Sequence, residues 1–133
     1  MPGNHLFEYA VIRVVPQVER EEFLNVGVIL YCAGLKYLGM RYQINEQRLS
    51  SFSTHIDIPE IASYLQAFEQ ICRGGAEGGA IGKLPMPERF RWLTATRSTV
   101  VQTSKVHPGL CEDAGETLGE LFAQLVAEPP SLQ

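Results

Sequence analysis

The stretch Phe23-Leu24-Asn25-Val26-Gly27-Val28-Ile29-Leu30-Tyr31-Cys32 decides the fold. Apolar and β-branched residues fall on both of its alternating faces, the pattern of a central strand covered on two sides rather than of one half in water. A charged run, Glu19 to Glu22, precedes it and an Ala33-Gly34 turn follows it. Such a strand needs paired neighbours, and the flanking segments supply them. Leu6 to Val15 alternates as a strand, with Phe7, Tyr9, Val11, Arg13 and Val15 on one face, and Pro16 ends it. Tyr37 to Tyr42 reads as a third short strand, joined to the second through Ala33-Gly34-Leu35-Lys36. The three form an antiparallel meander.

Further along, the hydrophobic period changes from two to between three and four. Asn45 to Phe52 is a short helix candidate. Asp57-Ile58-Pro59-Glu60 has the form of a helix start, because Asp57 can accept backbone N–H bonds and Pro59 lacks a donor that the first turn would leave unused. Ile61, Tyr64, Leu65, Phe68, Ile71 and Cys72 then make an apolar stripe, and Gly74-Gly75 is a stop. Gly74 to Pro87, rich in Gly and Pro, reads as a mobile loop, and Pro87 to Leu93 as a short helix or turn carrying the single Trp92 into the core. A fourth strand is expected from Thr94 to Val106, with a turn at His107-Pro108-Gly109. Asp113 and Glu116 sit as cap and capping-box partner of a last helix. Its stripe is Leu118, Leu121, Phe122, Leu125 and Val126, and Glu128-Pro129-Pro130 ends it. The expected architecture is therefore α+β: a mainly antiparallel sheet of about four strands packed by two main helices, in one globular domain.

Composition bounds the function. A chain of 133 residues with 45% hydrophobic and 20% charged residues can build one core without disulfide or metal staples. The formal net charge of −4 argues against a general polyanion binder, so nucleic acid is a disfavoured partner. Cys32, Cys72 and Cys111 are odd in number and show no zinc or redox spacing, so reduced buried thiols are expected. His107 and Cys111 are four apart but have no second ligand pair, so no metal is assigned, and no cofactor motif appears. Gly82-Lys83 is followed by Leu84-Pro85 rather than by Ser or Thr and a helix, which excludes a Walker-type phosphate loop. The N-terminal residues carry no secretory pattern and no segment reaches membrane-span length, so the cytoplasm is the expected location.

One stretch carries chemistry. Arg97 to His107 is more polar than a buried strand tolerates. As one continuous strand it would put Arg97, Thr99, Val101, Thr103, Lys105 and His107 on one face and Ser98, Val100, Gln102, Ser104 and Val106 on the other. Arg97, Ser98, Gln102, Ser104, Lys105 and His107, joined by Arg13, Asn25 and Arg41 from the neighbouring strands, are the candidates for a site holding a phosphate or carboxylate. The competing account is a solvated edge strand whose charges discourage edge-to-edge pairing. Arg13 and Arg41, inside apolar strands, are expected to pair with Glu8, Glu21 or Glu22, and Gly27 to serve close backbone packing. Ser98 and Ser104 lie near His107 without a nucleophile-elbow motif, so no catalytic residue is assigned.

These residues also carry a resemblance. Tyr9-Ala10-Val11-Ile12-Arg13-Val14-Val15-Pro16, Arg20 to Leu30, Trp92-Leu93-Thr94-Ala95 with Arg97-Ser98, and then Gln102, Ser104, His107 and Gly109 resemble the bacterial family known as domain of unknown function 3037. The resemblance spans nearly the whole chain, with little of it between Gln43 and Pro87. It supplies no catalytic residues. It implies a small protein encoded beside HipA-like kinases, and so an accessory or regulatory partner of such a kinase. Two functional readings follow. The favoured one is a non-enzymatic protein-interaction module working through an exposed sheet edge or face, a homodimer being a minor form of it. The alternative is an anion- or nucleic-acid-binding protein or small enzyme built on the Arg97 to His107 strand.

Overall fold

A computed structural model describes residues 4–127. The expected helix stop at Glu128-Pro129-Pro130, like Met1 to Gly3, lies outside them. Three long strands form the expected meander: β1 (His5–Val14), β2 (Leu24–Cys32) and β3 (Tyr37–Tyr42). β2 pairs antiparallel with both neighbours. On its far side β1 pairs with two short strands, β4 (Val101–Thr103) and β5 (His107–Cys111). Five α-helices complete the described residues: α1 (Glu46–Phe52), α2 (Ile58–Arg73), α3 (Gly79–Gly82), α4 (Met86–Leu93) and α5 (Ala114–Leu125). The fold is thus α+β with an antiparallel sheet, as the patterning implies.

The doubly apolar reading of β2 is realised as two cores, one on each side of the sheet. Ile29 joins Ala10, Ile12 and Val14 of β1 against Ile61, Leu65 and Phe68 of α2 and Phe90 and Leu93 of α4. Val28, Leu30 and Cys32, on the other face, pack with Phe7 and Cys111 against Ala114 and Leu118 of α5. Each fully buried Ile or Leu contributes about 1.5–3 kcal/mol, so β2 alone supplies a sizeable part of the driving force. Asn45, Asp57 and Asp113 accept the third-residue N–H of α1, α2 and α5 respectively, the side-chain caps that free these helix starts from unpaired donors. Gly27 is closely packed: a Cβ there would lie 2.9 Å from the Arg41 carbonyl oxygen and 2.9 Å from the Tyr42 Cβ.

Three expectations are corrected. The Gly-rich segment is not an open loop: it contains a 3₁₀ turn at Ala76–Gly78 followed by α3, and Gly75 N–H donates to the Gly82 carbonyl at 2.7 Å. Positive φ at Gly74, Gly75 and Gly79 explains the glycine run, since these turns require left-handed backbone. Trp92 does not enter the core but is 37% exposed on the shoulder of α4, because Phe90 and Leu93, three apart, already take the inward stripe. Finally, the fourth strand is not Thr94 to Val106. It begins at Val101, breaks after Thr103 and resumes at His107, so that His107-Pro108-Gly109 is strand rather than turn.

Candidate functional site

The break in the fourth strand determines which polar side chains can meet. Ile12 faces Thr103 and Tyr9 faces His107, so Ala10 and Val11 of β1 oppose Ser104, Lys105 and Val106, three residues against two. This is a β-bulge, and Ser104 builds it. Its N–H donates to the Val11 carbonyl at 2.8 Å, and its Oγ accepts from Val11 N–H at 2.8 Å and donates to the Lys105 carbonyl at 2.8 Å. The hydroxyl replaces the backbone carbonyl that a regular ladder would have offered Val11, which is why a serine is buried here. One extra residue reverses the alternation beyond it. Gln102 and His107, on opposite faces of a regular strand, both project on the α5 side, opposite Arg13 and Tyr9.

Several candidates are engaged within the fold. The guanidinium of Arg97 lies over Phe68 and Trp92, 5.0 and 4.8 Å from the ring centroids, and donates to the Leu93 and Trp92 carbonyls at 3.1 and 2.6 Å. It caps the C-terminal end of α4, where cations are favoured, and burial pushes its pKa down. Asn25 donates Nδ2–H to the Leu125 carbonyl at 3.1 Å and so caps α5. Arg41 reaches over Phe122 at 5.1 Å, and His107 packs against Tyr9 with centroids 5.3 Å apart. Ser98 and Lys105 are exposed. Arg97, on the α2 side of the sheet, and His107, on the α5 side, are not brought together. The ion pairs expected of Arg13 and Arg41 do not form: among the described residues the pairs are Arg20–Glu22 and Arg73–Glu69.

Two candidates do converge. Arg13 and Gln102 are cross-strand partners, and with Val15, Val18, Glu21 and Phe23 they line a cleft of about 260 Å³. The Arg13 guanidinium carbon stands 3.9 Å from the centroid of the Phe23 ring, and Arg13 Nε is buried without a hydrogen-bond partner. The patterning pointed to Arg13 and Gln102. Glu21, an expected ion-pair partner of Arg13, does reach the same cleft, though unpaired, whereas Phe23 reads in the sequence only as the edge of a strand and takes its place in the cleft once the connection folds back over β1.

A second surface lies at the other end of β1. Leu6 and Leu110 face each other across β1 and β5 and are 63% and 67% exposed, on the face that carries α2 and α4 but beyond the reach of those helices. β5 pairs only with β1, so its outer edge is unpaired among the described residues. Leu110 escaped the sequence reading because Pro108-Gly109 signals a turn. Gly109 is required for another reason: a Cβ there would collide with the Phe7 ring.

Among the described residues no group of three His, Cys, Asp or Glu side chains is placed to hold a metal ion, and no helix is long and apolar enough to cross a membrane. The profile of a family described as Protein of unknown function (DUF3037) matches residues 9–126. No curated protein and no solved structure matches the chain.

Proposed function

The chain belongs to the family of proteins of unknown function DUF3037, and we propose that it is a cytoplasmic, non-enzymatic interaction module that docks a partner protein on the Leu6–Leu110 surface. The observation that carries this is the exposed cross-strand leucine pair beside an unpaired strand edge. Apolar side chains side by side in water are costly unless covered, and an unpaired edge offers main-chain hydrogen bonds to an incoming strand. The partner we propose is a HipA-like kinase, on the gene neighbourhood that the family resemblance implies. Within this reading the polar segment from Arg97 to His107 serves architecture: Arg97 and Ser104 are committed to backbone carbonyls and amides.

The test is a titration of a purified HipA-like kinase from the same organism against the purified chain, by calorimetry, with Leu110→Asp and the double variant Leu6→Asp, Leu110→Asp alongside. Binding by the wild type that weakens at least tenfold in the variants is the expected result, since each leucine loses its apolar contact area and gains a desolvation penalty. Equal binding by all three would move the interface elsewhere. Light scattering of the wild type and Leu110→Asp reads the homodimer form of the same proposal.

A further inference from the structure

On the opposite face of the sheet, at the opposite end of β1, the Arg13 cleft presents a different chemistry. We propose that it binds a small zwitterion with an apolar body, of the class of aliphatic α-amino acids. The guanidinium of Arg13 is carried on a paired strand and lies over the Phe23 ring, its carbon 3.9 Å from the centroid. A planar fork of donors is suited to a carboxylate, and here it is the terminal nitrogens that face the cleft, since Nε itself is buried without a partner. Glu21 lines the same cleft, yet forms no ion pair with Arg13. Two opposite charges that share a cleft without neutralising each other can be bridged by a ligand carrying both signs.

The remaining lining fits that chemistry. Gln102 donates Nε2–H to the Thr99 carbonyl at 2.9 Å, which turns its own carbonyl oxygen into a second acceptor for an ammonium group. Val15 and Val18 provide apolar wall for a short aliphatic side chain. A phosphate is disfavoured, because one guanidinium would face a dianion while the Glu21 carboxylate repelled it. The volume, about 260 Å³, suits a small metabolite. The inference is independent of the leucine surface and stands or falls without it.

Calorimetry of the full chain with L-leucine and L-valine tests the proposal. The comparison probes are 4-methylpentanoate, which lacks the ammonium, L-leucinamide, which lacks the carboxylate, and inorganic phosphate. Saturable binding of one or both amino acids, with each truncated probe and phosphate at least tenfold weaker, is expected from the loss of one charge-assisted contact. Arg13→Gln should weaken leucine at least tenfold. Because Arg13 also packs on Phe23, the exposed Glu21→Gln is the decisive variant: it should abolish the preference for leucine over 4-methylpentanoate while leaving the fold intact. Leu110→Asp should bind leucine as the wild type does, which separates this site from the docking surface. Absence of amino-acid binding at millimolar concentration, binding of phosphate or leucinamide as tight as that of leucine, or an unchanged preference in Glu21→Gln would overturn the proposal.

Discussion

Replacing Ser104 by alanine tests the physical account of the bulge most directly. The side chain is 6% exposed, and its Oγ both accepts from Val11 N–H and donates to the Lys105 carbonyl, each at 2.8 Å. Alanine removes both bonds, worth about 1 kcal/mol each. It also leaves Val11 N–H buried beside a methyl group, an orphaned donor that adds up to about 1 kcal/mol. The expected loss is therefore about 2–3 kcal/mol. For a chain of this size that is roughly 6–15 °C in Tm, at about 3–5 °C per kcal/mol. Urea unfolding at constant m-value measures the loss, and amide hydrogen exchange reads its origin, because Val11 N–H should lose protection more than Ile29 N–H in the core of β2. A destabilisation below about 0.5 kcal/mol, or unchanged protection at Val11, would mean that the hydroxyl does not hold the ladder and that the bulge is set by something else.

Other perturbations follow from the same geometry. Gly27→Ala should cost about 1–3 kcal/mol in chemical denaturation, because the new Cβ meets the Arg41 carbonyl and Tyr42 Cβ of β3, which cannot retreat without breaking the ladder. Arg97→Ala should lower stability by roughly 1–3 kcal/mol and red-shift the fluorescence of the single tryptophan, since the cation over Trp92 and the cap on α4 are lost together. Burial pushes the Cys72 thiol from 9.0 up to about 12. The unfolded thiol therefore ionises first on raising the pH. The stability it contributes is present in full below pH 9 and is lost by up to about 4 kcal/mol as the pH climbs towards 12. Tyr37 and Tyr42, also raised chiefly by burial, add to the fall near and above pH 10. Stability curves between pH 8 and 11, compared with those of Cys72→Ala, check the sign, and Cys72 should resist alkylation in the native protein at pH 8.

Much of this protein was written into local patterns. The two-residue period of β1 and β2, the apolar character of both faces of β2, and the Asp57 and Asp113 caps are short-range features, and each predicted its element because hydrophobic period and backbone capping act within a few residues. The polar segment after Trp92 was decided otherwise. Its polar side chains take partners far away in sequence as well as near ones: Arg97 lies over the Phe68 ring while bonding the Leu93 and Trp92 carbonyls, and Ser104 bonds Val11. The Pro-Gly of β5 forms strand because Gly109 lets the Phe7 ring cross it and β1 supplies the pairing. One residue inserted against β1 then turned Gln102 and His107 to a common face and set Gln102 beside Arg13. Strand periodicity is a property of the chain, but the register in which two strands meet is a property of the pair, and a bulge changes the second without leaving a mark in the first.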